Sequence, residues 1–136
     1  MAEENYKHSE ITEKIIKAFY KVYNTLGYGF LEKVYENAML IELSNMGLKA
    51  VAQSPVKVYY DNKQVGGYFA DLLVEDCVIA ELKTAEEISS GNEAQSINYL
   101  KATEIEVGLL MNFGKTPQFK KRAFSNEFKT NFPFEY

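Results

Sequence analysis

Apolar residues recur at helical spacing near the start of the chain. Ile11, Ile15, Ala18, Phe19, Val22 and Leu26 follow Ser9 and stop at Gly27, so residues 10–26 are expected to form an amphipathic helix. After the break GYGF (27–30), Leu31, Val34, Tyr35, Ala38, Ile41 and Leu43 predict a second helix from about Leu31 to Met46, closed by Gly47. The pattern then turns to alternation. AVAQSPVKVYY reads as a strand, DNK (61–63) as a turn, QVGGYFADLLV as a second strand and CVIAELKT as a third. SSGNEAQSINYLKA opens a third helix, with Ser90 and Glu93 in capping-box spacing. EVGLLMNF predicts a buried strand, GKTPQ a turn and FKKRAF a more exposed last strand. The order is ααβββαββ, an α/β chain. A single domain is expected over residues 1–136, with a core of about 9–124 and an aromatic tail, 125–136. That tail is too apolar to hang free and is expected to pack on the domain or on a second subunit, which makes a homodimer one assembly to test.

One hairpin breaks the simple pattern. YFADLLVEDCVIAELK (68–83) is built of strand formers yet contains Asp71, Glu81 and Lys83. Side chains alternate faces along a strand, so the register decides which residues meet. A three-residue turn, Glu75-Asp76-Cys77, puts Val74 opposite Val78. It gathers Ala70, Leu72, Val74, Val78, Ala80 and Leu82 on one face and sets Asp71 opposite Glu81. A two-residue turn would split the apolar set and part the two acids, so the apolar pattern selects the first register. Opposed Cβ atoms lie about 5 Å apart, and two bare carboxylates at that distance repel. Something positive is therefore expected between them. Lys83 alone would make a solvent-facing Asp–Lys–Glu ladder, whereas a Mg²⁺ ion would make a metal site. The hairpin by itself leaves both open.

Composition narrows the classes. The chain has 136 residues, 46% hydrophobic and 25% charged, an ordinary globular balance without disordered bias. The lone Cys77 excludes an internal disulfide and any CxxC metal motif, and no run is apolar enough to span a membrane or act as a signal peptide, so a cytoplasmic protein is expected. The net charge of −4, with Arg122 the one arginine, argues mildly against a general nucleic-acid binder. Lys115, Lys120, Lys121, Arg122 and Lys129 nevertheless gather near the C-terminus, as a solvated face or a phosphate-facing patch. His8 and Cys77 fit no catalytic role.

Two more segments carry candidate chemistry. GFLEKVY places Glu32 and Tyr35 at i and i+3 on the second helix, and NEAQSINYL places Gln95 and Tyr99 on one face of the third. Together with Asp71 and Glu81-Leu82-Lys83, and with NFG (112–114), these resemble the GxxExxY protein family, a branch of the PD-(D/E)XK nuclease-like superfamily. The resemblance runs from about Ser9 to Phe124. It implies a restriction-endonuclease-like core, a central mixed β-sheet flanked by helices, and a nuclease acting on DNA or RNA with Mg²⁺ (or Mn²⁺). Asp71, Glu81, the Leu82 carbonyl and Glu32 would contact the metal, Lys83 would act on the phosphate or the attacking water, and Gln95 would support the site. The chain departs from the family pattern at Phe69, where an Arg precedes the Ala-Asp pair, and at Asn92, where a His stands. The alternatives are a catalytically inactive nuclease-like domain that binds nucleic acid or a protein partner, and a structural oligomerisation domain.

Overall fold

The computed structural model describes residues 7–129. The element order is the expected one: α1 (Ser9–Leu26), α2 (Glu32–Asn45), β1 (Ala50–Tyr60), β2 (Lys63–Val74), β3 (Val78–Lys83), α3 (Ser90–Lys101), β4 (Val107–Phe113) and β5 (Pro117–Ala123), with a 3₁₀ turn at Asn126–Phe128. The five strands form one mixed sheet in the order β1-β2-β3-β4-β5. All neighbours are antiparallel except β3 and β4, which run parallel with α3 as their crossover. Every residue of β4 is buried, as a central strand covered on both faces requires.

The two faces carry different cores. Ile15 and Phe19 of α1 and Tyr35, Met39 and Leu43 of α2 pack with Leu72, Val74, Val78, Ala80, Leu82, Leu109 and Phe113. On the other face Tyr99 and Leu100 of α3 pack with Ile79, Ala70 and Val56. Alternation along β3 sends Val78, Ala80 and Leu82 toward α1 and α2, and Ile79, Glu81 and Lys83 toward α3. No helix among the described residues is long and apolar enough to cross a membrane.

The β2–β3 hairpin has the register that the apolar parity selects: Val74 pairs Val78, Leu73 pairs Ile79 and Leu72 pairs Ala80. Glu75 and Asp76 both take left-handed conformations in the turn, and Cys77 N–H closes it onto Val74 O at 3.1 Å. One part of the expectation fails. Ala70 is buried, but with Val56, Tyr99 and Leu100 on the α3 side rather than with Leu72. Parity assumes an unbroken pleat, and the pleat breaks here. β2 has no Cα pairs with β3 beyond Leu72, and on β1 Gln53, between the Ala52–Leu72 and Ser54–Ala70 pairs, is left-handed at φ 54°.

Helix ends differ in detail. The first helix begins at Ser9 behind a left-handed, exposed His8. The capping box of α3 is one residue earlier than expected: Ser89 Oγ accepts from Asn92 N–H at 3.0 Å, and Asn92 Oδ1 accepts from Ser89 N–H at 3.1 Å. Asn92 thus has a structural role at the position of the family His. The apolar stripe of α2 is only half right. Tyr35, Met39 and Leu43 are buried, whereas Leu31, Val34 and Ile41 are exposed. Glu36 takes the buried place beside Tyr35, because Lys33 and Gln53 each hold one of its carboxylate oxygens at 2.9 Å.

Candidate active site

The site forms where β2 leaves β3. With no Ala70 pairing available, Leu82 N–H donates instead to Asp71 Oδ2 at 2.8 Å. Asp71 thereby acts as a side-chain substitute for a ladder carbonyl and is drawn toward Glu81. Glu81 is almost fully buried, and its protonated carboxyl hydrogen-bonds to Asp71. Burial first, then the charge of Asp71 and that hydrogen bond, push the Glu81 carboxyl up to about 9, against opposing pulls from the Asp71 backbone N–H and, last, from Lys83. Its Oε1 is buried and has no hydrogen-bond partner. A native core leaves few such atoms, and each asks for a cause.

Lys83 lies at the end of β3, half-buried and without a salt bridge among the described residues. The solvent-facing Asp–Lys–Glu ladder is therefore not formed: Glu81 is inside, and Lys83 pairs with neither acid. Glu32 comes from the first turn of α2. Burial raises its pKa, Lys83 lowers it, and Asp71 and Glu36 raise it again, so the four groups share one field.

The loop that presents Glu32 is fixed from below. Tyr35 stacks on Phe113 with ring centroids 4.2 Å apart and donates its hydroxyl to Gly27 O at 2.6 Å. The Tyr35 hydroxyl oxygen in turn accepts from Phe30 N–H at 3.3 Å. Gly29 has φ 106°, which a side chain would strain, so the Gly and the Tyr of GFLEKVY are both accounted for by this loop. The segment after Lys83 is fixed too. Buried Asn112 accepts from Ala85 N–H and donates to Ala85 O, each at 2.9 Å, and the Cα of Gly114 lies so close to that oxygen that a Cβ would overlap it.

Gln95 is exposed and makes no hydrogen bond among the described residues. Tyr99, one turn on, reaches the acids. It packs against Tyr68 with centroids 4.3 Å apart. Burial and then Glu81 push the Tyr68 hydroxyl up to about 12, and Tyr99 is raised by the same causes. Tyr68, Glu36 and Gln53 are parts of this neighbourhood that the sequence reading missed. The signals for Glu36 were its place next to Tyr35 and its i,i+3 spacing from Lys33. Nothing local marked Gln53.

The basic cluster is mostly committed elsewhere. Arg122 hydrogen-bonds Glu93, and Lys120 lies 3.8 Å from the same carboxylate. Lys129 is buried and donates to Thr103 O and Ile105 O. Lys121 reaches Thr12. The 3₁₀ turn begins the tail, with Phe128 exposed, and the expected packing of 130–136 lies outside the described residues.

The protein is thus an α/β domain with a mixed five-stranded sheet flanked by helices and acids gathered where two strands part. A family model described as the PD-(D/E)XK nuclease superfamily matches residues 9–124, and the chain belongs to that superfamily. The fold is also similar to the crystal structure of SSO0001, with a TM-score of 0.50 and 14% identity, over 68% of this chain and 50% of that one. The chain thus spans about half the length of that protein. No curated protein matches the chain.

Proposed function

We propose that this protein is a Mg²⁺- or Mn²⁺-dependent nuclease of the GxxExxY branch, hydrolysing phosphodiester bonds of DNA or RNA. The observation that carries the reading is the Glu81 carboxyl: buried, pressed against Asp71, with one oxygen unpartnered. A carboxyl in that setting is held protonated until a cation arrives. The donor set suits a hard ion, since Asp71, Glu81 and the Leu82 carbonyl all offer oxygen, with Glu32 nearby. No group of three or more acidic, His or Cys side chains among the described residues is gathered tightly enough to hold a metal, so the two hairpin acids would be the principal ligands. Once bound, such an ion supplies Lewis acidity and a lowered pKa for bound water.

The chain's own residues supply the rest. Asp71 and Glu81 fix where a phosphate can approach. Lys83, unpaired and half-buried, places positive charge beside that point, where negative charge grows on the phosphate oxygens in the transition state. Glu32, with its raised pKa, can hold a proton beside Lys83. The loop clamps at Tyr35 and Asn112 keep Glu32 and Lys83 from drifting. The decisive experiment is calorimetric titration of Mg²⁺ or Mn²⁺ into wild type and Asp71→Asn, paired with cleavage assays on labelled DNA and RNA. Metal-dependent cleavage lost in the variant supports the reading, and metal binding without cleavage of any substrate overturns the enzyme.

A second reading, a nuclease-like domain that binds nucleic acid or a protein without cutting, draws on Phe69. It is 61% exposed where the family pattern has a cation, and Glu93 occupies Arg122 and Lys120.

A further inference from the structure

A groove with an aromatic wall adjoins the acid cluster. The loop between α1 and α2 presents Tyr28, 56% exposed, and Phe30, 46% exposed, four and two residues before Glu32. The facing wall starts directly after Lys83, at Thr84 and Ala85, and continues through Glu86, Gly114 and Lys115. Between the walls is a cavity of about 280 Å³. Isolated exposed aromatics are common, but two on one rigid loop, beside a lysine and three acids, are a surface with a direction.

Both walls are held still. Tyr35 clamps the aromatic loop through Gly27 O and Phe30 N–H. On the other side Asn112 clamps Ala85, and Tyr23 Oη lies 2.7 Å from Gly114 O and 2.6 Å from Lys115 O. A site fixed before its ligand arrives loses little entropy on binding. The groove is also charged in a specific way. Lys115 makes no salt bridge among the described residues, and Glu86 lies in the same lining. A phosphate fits the Lys115 side and is repelled by Glu86, while Glu86 can accept from the amino or imino N–H of a base.

We propose that this groove receives an unpaired nucleobase, stacked on Tyr28 and Phe30 with its phosphate toward Lys115, so that the substrate is single-stranded nucleic acid or a single-stranded segment of a duplex. The proposal rests on the nuclease reading above and deepens it. In a duplex both faces of a base are covered by its neighbours, so only an unstacked base can offer one to a side-chain ring. The groove wall begins at Thr84, one residue after Lys83, so a base held there would leave its own strand close to Lys83. An apolar peptide would leave Lys115 and Glu86 without partners, and a second copy of the chain would set this groove against its own acids.

The test is fluorescence anisotropy in Ca²⁺ and low salt, with a labelled single-stranded oligonucleotide and the blunt duplex of the same sequence. Wild type, Tyr28→Ala and Phe30→Leu are compared, and cleavage of both probes by wild type in Mg²⁺ is followed in parallel. Phe30→Leu keeps apolar contact with Tyr35 and guards against a folding defect. The expected result is tighter binding of the single strand, with a loss of about five- to a hundredfold in Tyr28→Ala, the range that stacking of one base spans. The duplex should respond far less. If wild type cleaves but both variants bind single strands as wild type does, the groove proposal falls and the nuclease reading stands. If wild type neither binds nor cleaves either probe, the nuclease reading falls and takes the groove with it. Sedimentation showing a dimer that Tyr28→Ala dissociates would make the groove a self-interface and overturn the proposal.

Discussion

Glu81 hydrogen-bonds to Asp71 across the point where β2 and β3 part, while Asp71 is itself held by the Leu82 amide at 2.8 Å. The two acids are therefore anchored by the backbone, so they cannot turn away to relieve their repulsion. That makes stability depend on pH in a defined direction. The folded-state pKa of Glu81, about 9, lies above its ordinary 4.5, so ionisation costs the folded state. The contribution is fully present below pH 4.5 and is lost as pH rises toward 9. In EDTA, urea unfolding should show Glu81→Gln more stable than wild type at pH 8, because the variant takes up no proton on entering the fold. The difference should shrink toward pH 5. Mg²⁺ should raise the melting temperature of wild type and leave the variant unchanged. A variant less stable than wild type at pH 8 would mean that Glu81 is ionised in the metal-free fold and held there by a favourable partner.

Lys83 and Glu81 should separate kinetically. Glu81→Ala removes a proposed ligand, so both heat of Mg²⁺ binding and cleavage should vanish. Lys83→Ala removes charge that acts on the transition state, so calorimetry should show metal bound normally while single-turnover cleavage slows by about 10²–10³-fold. A contaminating nuclease would be indifferent to both changes. Equal loss of metal binding in the two variants would make Lys83 part of the scaffold for the acids.

Much of this hairpin was readable because parity is a strong constraint: six apolar residues had a single register that kept them together, and Leu72, Ala80 and Leu82 obey it. The order of the elements along the chain and the three helices followed from periodicity and turn residues. What periodicity could not carry was the interruption. Gln53 turns left-handed and binds Glu36, β2 departs from β3, and Ala70 goes to the other core. The hydrogen bond between Gln53 and Glu36 spans α2 and β1, and such a pairing has no local signature. The same applies to Val34 and Ile41, which carry a helical stripe yet lie outside, because the buried face of α2 was won by Tyr35, Glu36 and Met39. Gln95 was placed by motif position, and the helix turns it to solvent.

Tyr35→Phe isolates the loop from the core. The ring keeps its stack on Phe113, and only the hydroxyl bonds to Gly27 O and Phe30 N–H are lost. Stability should fall by about 1 kcal/mol, the net worth of such bonds. Cleavage should fall further than that figure implies, because Glu32 and Phe30 sit on the released loop and misplaced groups lose rate steeply. Chemical denaturation alongside single-turnover rates would separate the two effects. Cleavage unchanged in a measurably destabilised variant would show that the loop does not position the site.

Gly114→Ala probes the other wall from a residue that is none of the proposed metal-binding groups. The added methyl would overlap the Ala85 carbonyl oxygen, which Asn112 holds in place, so either the chain after Lys83 moves or the β4–β5 turn does. Overpacking of this kind costs about 1–3 kcal/mol. Tyr23 ties Gly114 O and Lys115 O to α1, so the turn resists and the displacement should fall on Ala85 and Lys83. Asp71 and Glu81 lie upstream on strands that the methyl does not reach, so Mg²⁺ affinity should be kept while the cleavage rate drops, the same signature as Lys83→Ala but milder. Calorimetry and single-turnover assays on the folded variant check this. Loss of metal binding together with rate would place Gly114 in support of the whole acid cluster and would overturn the view that the Ala85 clamp serves Lys83 alone.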